Sequence, residues 1–343
     1  MSTESTALKA NQQESAQISP TARLESVLEL VDADMSSVNQ CIEDRLDSDI
    51  VLIRSLAAYI INSGGKRLRP VTLLLGCGAL GCEDPRRITL AAVIEFIHTA
   101  TLLHDDVVDS SDMRRGNATA NAVWGNEASV LVGDFLYSRA FEMMVEAQSM
   151  DVMNVMAHTT NRIAEGEVMQ LLNAHSPDIT EDQYIETITR KTAKLFESAG
   201  KLAAIVSDAD QKAHDSLAAF GMHLGIAFQI VDDLLDYVQD AEEMGKNPGD
   251  DLAEGKPTLP LLYALKHCST TNADMIRTAI ENGDRSQFEA VKNVIESTGA
   301  LAYTSRRAQE EIVKAKDCLT SLPESRYRQA LCDLADFSVA RTY

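Results

Sequence analysis

The sequence predicts an all-α fold, and three observations lead to this prediction. The chain has 343 residues but only 8 Pro and 17 Gly, so it offers few of the obligatory turns of a many-stranded sheet protein. From about Thr21 onward, apolar residues recur at helical spacing and are interrupted only by short turns. Neither a low-complexity linker nor a repeat of fixed period divides this pattern. We therefore expect a single helical domain over residues 21–343.

The first 20 residues differ from the rest of the chain. They are rich in Ser, Thr, Gln and Ala, they end at Pro20, and they show no apolar period. A segment of this composition cannot bury enough apolar surface to order itself. Residues 1–20 are therefore predicted to be a disordered tail.

The charge balance excludes one class of partner. The chain carries 52 Asp and Glu against 31 Lys and Arg, a formal net charge of -21. A polyanion is repelled by such a field, so we expect no binding to nucleic acid.

Three further features of the sequence bear on where the protein is located and whether it spans a membrane. The best apolar run, from Val71 to Cys82, is too short for a transmembrane segment, and no export signal is evident at the N-terminus. The six cysteines lie at irregular positions without zinc-type pairs, which is typical of reduced thiols. We therefore expect a cytoplasmic protein with no transmembrane segment.

In chain order, the first marked boundary is a basic turn between two helices. Gly65 lies at the end of one helix, Pro70 fits the first turn of the next, and Lys66 and Arg69 lie between them. Backbone N–H groups and Arg side chains match phosphate oxygens, although an exposed basic turn is an equally simple interpretation.

The next helix is strongly apolar and ends in the carboxylates Asp105, Asp106 and Asp109. His98 and Thr101 fall on the same stripe, an arc of about 80°, as the first and last of these aspartates. Considered alone, His98 could be an ordinary core histidine. A second basic pair, Arg114 and Arg115, follows this motif, and the same two interpretations apply to it.

A later apolar helix repeats the acidic pattern. One stripe of about 100° holds four polar side chains; these are Gln229, Asp232, Asp233 and Asp236. A single motif could be a solvated acidic face. Two copies beside apolar segments instead indicate a bound cation, because stacked carboxylates repel one another when they lose solvent. Oxygen ligands without His or Cys favour Mg²⁺ shared with substrate phosphates.

The motifs GGKRLRP, LLHDDVVDSSDMRRG, GDFLYSRAF, KTAKLFE, FQIVDDLLDY and GKNPGDDLAEGKPTLPLL resemble those of the trans-isoprenyl diphosphate synthase family. The resemblance runs in order from about residue 22 to the C-terminus, and the chain most resembles the bacterial octaprenyl diphosphate synthases. The resemblance implies a helical bundle of the isoprenoid-synthase type around a deep central cavity. It also implies successive condensation of isopentenyl diphosphate onto an allylic diphosphate such as farnesyl diphosphate, with two or three Mg²⁺ ions per site.

The resemblance assigns roles to the motif residues. The expected metal ligands are Asp105, Asp109 and Asp232, with Asp106, Asp233 and Asp236 as further catalytic carboxylates beside them. The side chains expected to contact the allylic diphosphate are Arg114, Lys191, Thr192, Gln229, Lys246 and Lys256, with Lys191 also catalytic. Those expected to hold isopentenyl diphosphate are Gly65, Lys66, Arg69, His98 and Arg115. Without the motifs around them, the lysines would be read as surface residues.

Product length is expected to depend on side chains below the first aspartate motif. Ala100 and Thr101 are small, and the resemblance associates small residues here with a long product. By similarity, Met144 and Met156 are candidates for the floor of the tunnel, although Met is also a common core residue. The expected product supplies quinone side chains. A homodimer and peripheral release of product to a membrane are also implied.

Three alternatives remain at this point. The product could be shorter or longer, such as geranylgeranyl or nonaprenyl diphosphate. The chain could be a non-catalytic regulatory subunit of a two-component synthase, although both aspartate motifs are complete. An HD-type phosphohydrolase, suggested by His104 and Asp105, would leave the second motif unexplained.

Overall fold

The computed structural model describes residues 20–62, 65–238 and 248–340. The prediction of an all-α fold is confirmed: apart from one short hairpin, the regular structure of these residues is helical. Of the predicted tail, residues 1–19 lie outside the described residues, and Pro20 begins the first helix.

The elements follow one another with short connections. The first part of the chain forms α1 (Pro20–Leu30), α2 (Asp32–Arg45), α3 (Val51–Asn62), α4 (Leu68–Ala79), α5 (Arg86–Val108), β1 (Met113–Arg114), β2 (Asn117–Ala118), α6 (Ala120–Trp124), α7 (Asn126–Glu146) and α8 (Met150–Asn173). The next part forms α9 (Glu181–Ile188), a π-helical segment (Thr189–Ala193), α10 (Lys194–Val206) and α11 (Gln211–Val238). The remainder forms α12 (Asp250–Ala253), α13 (Leu259–His267), α14 (Thr270–Asn282), a 3₁₀ turn (Arg285–Gln287), α15 (Phe288–Ser297), α16 (Ala300–Cys318), a second 3₁₀ turn (Leu319–Ser321) and α17 (Arg326–Ala340).

The two helices that carry the aspartate motifs, α5 and α11, are core elements. Helix α5 packs against α2, α4 and α7, and α11 packs mainly against α10 and α16. Both are long and apolar enough to cross a membrane, but 56% and 67% of their most apolar windows are buried inside the molecule. Core helices of soluble proteins pass the same test, so these lengths are explained by packing.

Small residues allow α10 and α11 to approach closely. A side chain at Gly200 would collide with the backbone of Leu217, and one at Gly221 would collide with the backbone of Phe196. Because these contacts are between backbones, the two helices hold a fixed separation. This packing sets the position of the π-helical segment, which leads directly into α10.

The hairpin was missed by the sequence prediction. Its two strands are two residues each, and the turn between them contains Arg115 and Gly116 with φ angles of 52° and 76°. Positive φ at both central residues is typical of a tight type I′ turn. The hairpin follows α5 directly and carries Arg114 and Arg115 to the same end of the molecule as the first aspartate motif.

Candidate active site

A cavity of about 1230 Å³ is lined by most of the residues singled out by the sequence. Its walls come from α5, α8, α9, the π-helical segment and α11, together with the loop before α4 and the hairpin. The predicted residues that line it are Gly65, Lys66, Arg69, His98, Thr101, Asp105, Asp109, Arg114, Arg115, Lys191, Thr192, Gln229, Asp232, Asp233, Asp236 and Lys256. Positions up to about 190 residues apart in the chain thus share one site.

The first aspartate motif is compensated by lysines from other elements. Lys191 Nζ lies 3.3 Å from Asp105 Oδ2 and 2.5 Å from Glu167 Oε2. Lys256 Nζ lies 2.8 Å from Asp109 Oδ2 and also pairs with Glu254. Each lysine is therefore shared by two carboxylates.

The charge state of both lysines follows from this arrangement. Burial lowers the pKa of Lys191, but Asp105 and Glu167 outweigh it and the pKa is raised overall. The same balance raises the pKa of Lys256, where Asp109 and Glu254 are the main carboxylates. Both ammonium groups thus stay charged inside the cavity.

Asp106 has a different environment from its two neighbours. It is buried, it is absent from the cavity lining, and its Oδ1 accepts hydrogen bonds from Arg114 Nε at 2.8 Å and from Arg114 Nη2 at 2.7 Å. Burial raises the pKa of Asp106, partly opposed by Arg114. This carboxylate therefore fixes Arg114 against α5.

In the second motif, Asp233 and Asp236 are anchored by hydrogen bonds from other parts of the protein. Asp233 accepts from Tyr184 Oη at 2.6 Å and from Gln229 Nε2 at 2.8 Å. Asp236 Oδ1 accepts from the backbone N–H of Gly249 at 3.1 Å, which anchors the start of α12. Asp232 lines the cavity and is less buried than either.

An acidic group of α12 raises the pKa of an aspartate in α11. Burial, and next the carboxylate of Asp251, raise the pKa of Asp233 to about 8, against the hydrogen bonds from Tyr184 and Gln229. A nearby positive charge would reverse this effect and favour the ionised carboxylate.

The π-helical segment explains how Lys191 and Thr192 reach the cavity. A π segment inserts an extra residue into a helix and is frequent at functional sites. Here it lies against α8 at Gly166, where a Cβ atom would be only 2.6 Å from the Lys191 backbone nitrogen. Thr192 Oγ1 then donates to Gln229 Oε1 at 2.9 Å, which links this wall to α11.

A basic group lies on another wall of the cavity. Arg69 Nη1 is 3.1 Å from His98 Nε2, and the Arg69 guanidinium lies 4.5 Å above the Phe196 ring. Burial, and next the charge of Arg69, lower the pKa of His98 well below its ordinary value, so the ring is neutral and Nε2 accepts. Burial lowers the pKa of Arg69 to about 10. The group thus has excess positive charge in a poorly solvated place, which favours an anionic ligand.

Two flanking residues complete this wall. Gly65 lets the Arg115 side chain pack closely against the backbone, because a Cβ atom at this position would lie 2.6 Å from Arg115 Nη1. Lys66 Nζ lies 4.6 Å from the centre of the Phe337 ring, which belongs to the last helix. The C-terminal helix therefore borders the site.

The residues proposed for chain length do not all lie at the cavity surface. Thr101 lines the cavity and donates from Oγ1 to the His98 carbonyl oxygen at 2.7 Å. Ala100, Met144 and Met156 are fully buried in the main hydrophobic core and are not among the lining residues. Lys246 lies outside the described residues.

Sequence reasoning missed four residues that the structure brings into the site. Glu167, Glu254 and Tyr184 hold predicted side chains, and Glu95 forms an ion pair with Arg67 at 3.1 Å. Only Glu254 and Glu95 had a signal, because each lies close to a predicted motif. Glu167 and Tyr184 are distant in sequence from their partners.

The carboxylate set fits Mg²⁺. All candidate ligands are oxygens on the cavity wall, the type of donor that this ion prefers. In the described part of the chain, no three His, Cys, Asp or Glu side chains converge into a ready metal site. A Mg²⁺ ion bound here would be held by one or two of these carboxylates and would take its remaining ligands from water or phosphate oxygens, as is usual for this ion.

An all-helical fold with two aspartate stripes and a basic group around one cavity defines a class of enzymes that hold diphosphates through divalent metal ions. Comparison with known proteins agrees with this class. The Polyprenyl synthetase family model matches residues 51–298. Octaprenyl diphosphate synthase of Escherichia coli (strain K12) is 52% identical over 319 residues, covering 93% of this chain and 99% of that protein.

Two further similarities extend the comparison. All-trans-nonaprenyl-diphosphate synthase (geranyl-diphosphate specific) of Rhodobacter capsulatus is 45% identical, covering 92% of this chain and 98% of that protein. The crystal structure of polyprenyl synthase from Caulobacter crescentus CB15, complexed with calcium and isoprenyl diphosphate, is 43% identical with a TM-score of 0.91, covering 93% of this chain and 98% of that one. The chain therefore belongs to the polyprenyl synthetase family, and it is a prenyltransferase similar to the long-chain octaprenyl diphosphate synthases. The family is typically Mg²⁺-dependent.

Proposed function

We propose that this chain is an all-trans-octaprenyl diphosphate synthase, which adds isopentenyl diphosphate repeatedly to an allylic diphosphate such as farnesyl diphosphate. The observation that carries the proposal is the convergence of both aspartate motifs and two sets of cations on one cavity. Two diphosphates can bind there side by side, one at the aspartates and one at the basic wall.

The allylic diphosphate is assigned to the aspartate end of the cavity. Asp105, Asp109 and Asp232 would hold two or three Mg²⁺ ions, which neutralise the diphosphate and stabilise its departure as a leaving group. Lys191 and Lys256 would contact the diphosphate from this wall, where Glu167 and Glu254 hold their ammonium groups. The remaining contacts are assigned to Arg114, Thr192, Gln229 and Lys246.

Isopentenyl diphosphate is assigned to the basic wall. Arg69 and Arg115 supply charge, Lys66 lies at the edge, and Gly65 allows the diphosphate to approach the backbone. The neutral His98 accepts from Arg69 and thereby orients its guanidinium toward the ligand. Guanidinium groups suit this role because they bind phosphate oxygens in pairs.

The reaction then follows from charge. The allylic C–O bond breaks and its electron pair leaves with the diphosphate, so a carbocation forms. Apolar lining residues such as Ile163, Leu195 and Leu235 keep water away from it. The double bond of isopentenyl diphosphate attacks this carbon, a new C–C bond forms, and a proton is lost to the departed diphosphate. The product is allylic again and one isoprene unit longer.

A long product is the interpretation that the small side chains at Ala100 and Thr101 favour. Thr101 borders the cavity, and its neighbour Ala100 is a small side chain buried in the core. Met144 and Met156 are proposed as the floor that the growing chain meets, reached by movement of these flexible side chains.

We also propose a cytoplasmic homodimer that releases its product peripherally at a membrane, where the product serves as a quinone side chain. Exposed apolar side chains on two adjacent helices support the dimer, namely Leu131 of α7 and Leu171 and Leu172 of α8. A second copy of the chain would cover this surface. Light scattering of the purified protein tests this, and a monomer at micromolar concentration would contradict it.

The function is tested by incubating the purified protein with Mg²⁺, farnesyl diphosphate and excess isopentenyl diphosphate, and then sizing the products. A forty-carbon end product is expected. An end product of fifteen or twenty carbons would refute the long-chain assignment. No product from the chain alone would favour a regulatory subunit.

A further inference from the structure

Tyr184 contacts the second aspartate motif in a way that the proposed chemistry does not yet use. It lies in the middle of α9, it lines the cavity, and it is only 4% exposed. Its hydroxyl donates to Asp233 Oδ2 at 2.6 Å. A buried tyrosine normally pairs its hydroxyl with some partner, but here the partner is a carboxylate of the catalytic set.

The other oxygen of Asp233 is also bonded. Gln229 Nε2 donates to Oδ1 at 2.8 Å, and Gln229 Oε1 in turn accepts from Thr192 Oγ1 at 2.9 Å. Asp233 is 5% exposed. Its carboxylate is thus held at both oxygens by groups from two elements, and a carboxylate in that position has little freedom to turn toward a metal ion.

Tyr184 and Thr192, which donate to Asp233 and Gln229 of α11, come from one continuous stretch of chain. Helix α9, with Tyr184, runs without a break into the π-helical segment, which carries Lys191 and Thr192. The network from Tyr184 through Asp233 and Gln229 to Thr192 therefore ties this stretch to α11 at two levels. Rotation of α11 about its axis would break the Tyr184–Asp233 and Thr192–Gln229 hydrogen bonds together.

We propose that Tyr184 is a positioning residue for the condensation reaction, which holds Asp233 against α9 so that Asp232 presents its carboxylate to the cavity. The inference rests on the proposed function, because it assigns the two adjacent aspartates different tasks. Tyr184 acts through Asp233 and touches no reacting atom.

Tyr184→Phe tests this with little change of shape, since only the hydroxyl is removed. Because Tyr184 acts by positioning, its loss is expected to lower kcat by roughly 10- to 100-fold, since a misplacement of about 1 Å can cost 10²-fold in rate. The KM for isopentenyl diphosphate is expected to change little, because Arg69 and His98 lie on a different wall. A second readout is independent of turnover: the rise in melting temperature on adding Mg²⁺ with inorganic diphosphate should be smaller in the variant.

Tyr303→Phe is the matched control. Tyr303 Oη donates to Glu181 Oε2 at 2.7 Å, so this variant removes a tyrosine–carboxylate bond of similar length to the same helix, α9. Tyr303 does not line the cavity. The control should keep wild-type kcat and the full melting-temperature rise.

A double-mutant cycle with Asp233→Ala separates positioning from simple packing. If Tyr184 acts through Asp233, the hydroxyl has nothing to hold once the carboxylate is gone, and Tyr184→Phe should add no further loss in that background. Losses that multiply in the double variant would overturn the proposal, as would wild-type kcat in Tyr184→Phe. If the wild-type protein makes no prenyl product, the proposed function itself fails, which is a different result from a fully active Tyr184→Phe variant.

Discussion

Gly166→Ala is the perturbation whose effect is most directly fixed by the structure. Gly166 lies in α8, against the π-helical segment, and an added Cβ atom would sit 2.6 Å from the Lys191 nitrogen and 2.9 Å from its Cα atom. Ordinary contact begins near 3.4 Å, so the segment must retreat by roughly 0.8 Å. The atoms that must move are backbone atoms, so a change of rotamer cannot relieve the clash.

The magnitude follows from two separate effects. A displacement of about 1 Å in a positioning element can cost roughly 10²-fold in rate, and Lys191 is the residue displaced. Overpacking costs about 1–3 kcal/mol of stability. Against this, alanine is favoured over glycine within a helix by about 1 kcal/mol. We therefore expect a loss in kcat/KM near 100-fold and a net loss of stability of about 0–2 kcal/mol.

The assay pairs steady-state prenyl transfer with thermal unfolding of the same preparations. Gly200→Ala is the control, because its Cβ atom also meets backbone, that of Leu217, but neither residue lines the cavity. That variant should lose stability while its folded fraction keeps near-wild-type kcat/KM. Full activity in Gly166→Ala would refute the reasoning that close packing at this glycine positions Lys191.

Three further predictions concern product length, metal and pH. Ala100→Phe or Thr101→Phe should shorten the product without abolishing Mg²⁺-dependent condensation, as judged by chromatographic sizing; unchanged length would place the tunnel elsewhere. A chelator should abolish condensation while circular dichroism shows the helices intact, and metal-independent product would contradict the proposed role of the aspartates. Burial raises the pKa of Glu311, but hydrogen bonds from His223 and Lys314 lower it overall below its ordinary 4.5. Its stabilising effect is therefore present above that pH and lost as the pH falls further, so the melting-temperature deficit of Glu311→Gln should shrink in acid; a constant deficit would show that the charge is irrelevant.

Much of the site was predictable because its aspartates and basic residues lie in short motifs whose spacing can be read along the chain. The two aspartate stripes need only the helical period, and α5 and α11 carry them as expected. The hairpin around Arg115 could not be predicted, because strands of two residues leave no alternating pattern in the sequence. The motif marked Arg115, but spacing did not reveal the turn that directs it.

The remaining parts could not be predicted because they depend on packing between distant segments. Nothing in the period of residues 181–206 distinguishes a π segment from continuous α-helix, so Glu167 could not be matched with Lys191 in advance. Tyr184 and Asp233 are 49 positions apart, and their contact depends on how α9 packs against α11. Met144 and Met156 illustrate the opposite case, since their burial fits an ordinary core as well as a tunnel floor.

The net charge of -21 shows why these local contacts matter for an anionic substrate. Acids away from the cavity contribute little, since charges beyond about 8 Å are largely screened at physiological ionic strength. Inside the cavity the balance is different, because Lys191 and Lys256 are each shared between two carboxylates. That wall is negative in total and would repel a diphosphate on its own. The basic wall around Arg69 has the opposite sign. With the two substrates placed as proposed, isopentenyl diphosphate should bind without a metal, whereas the allylic diphosphate should need added positive charge. The two substrates should therefore differ in their dependence on divalent ions.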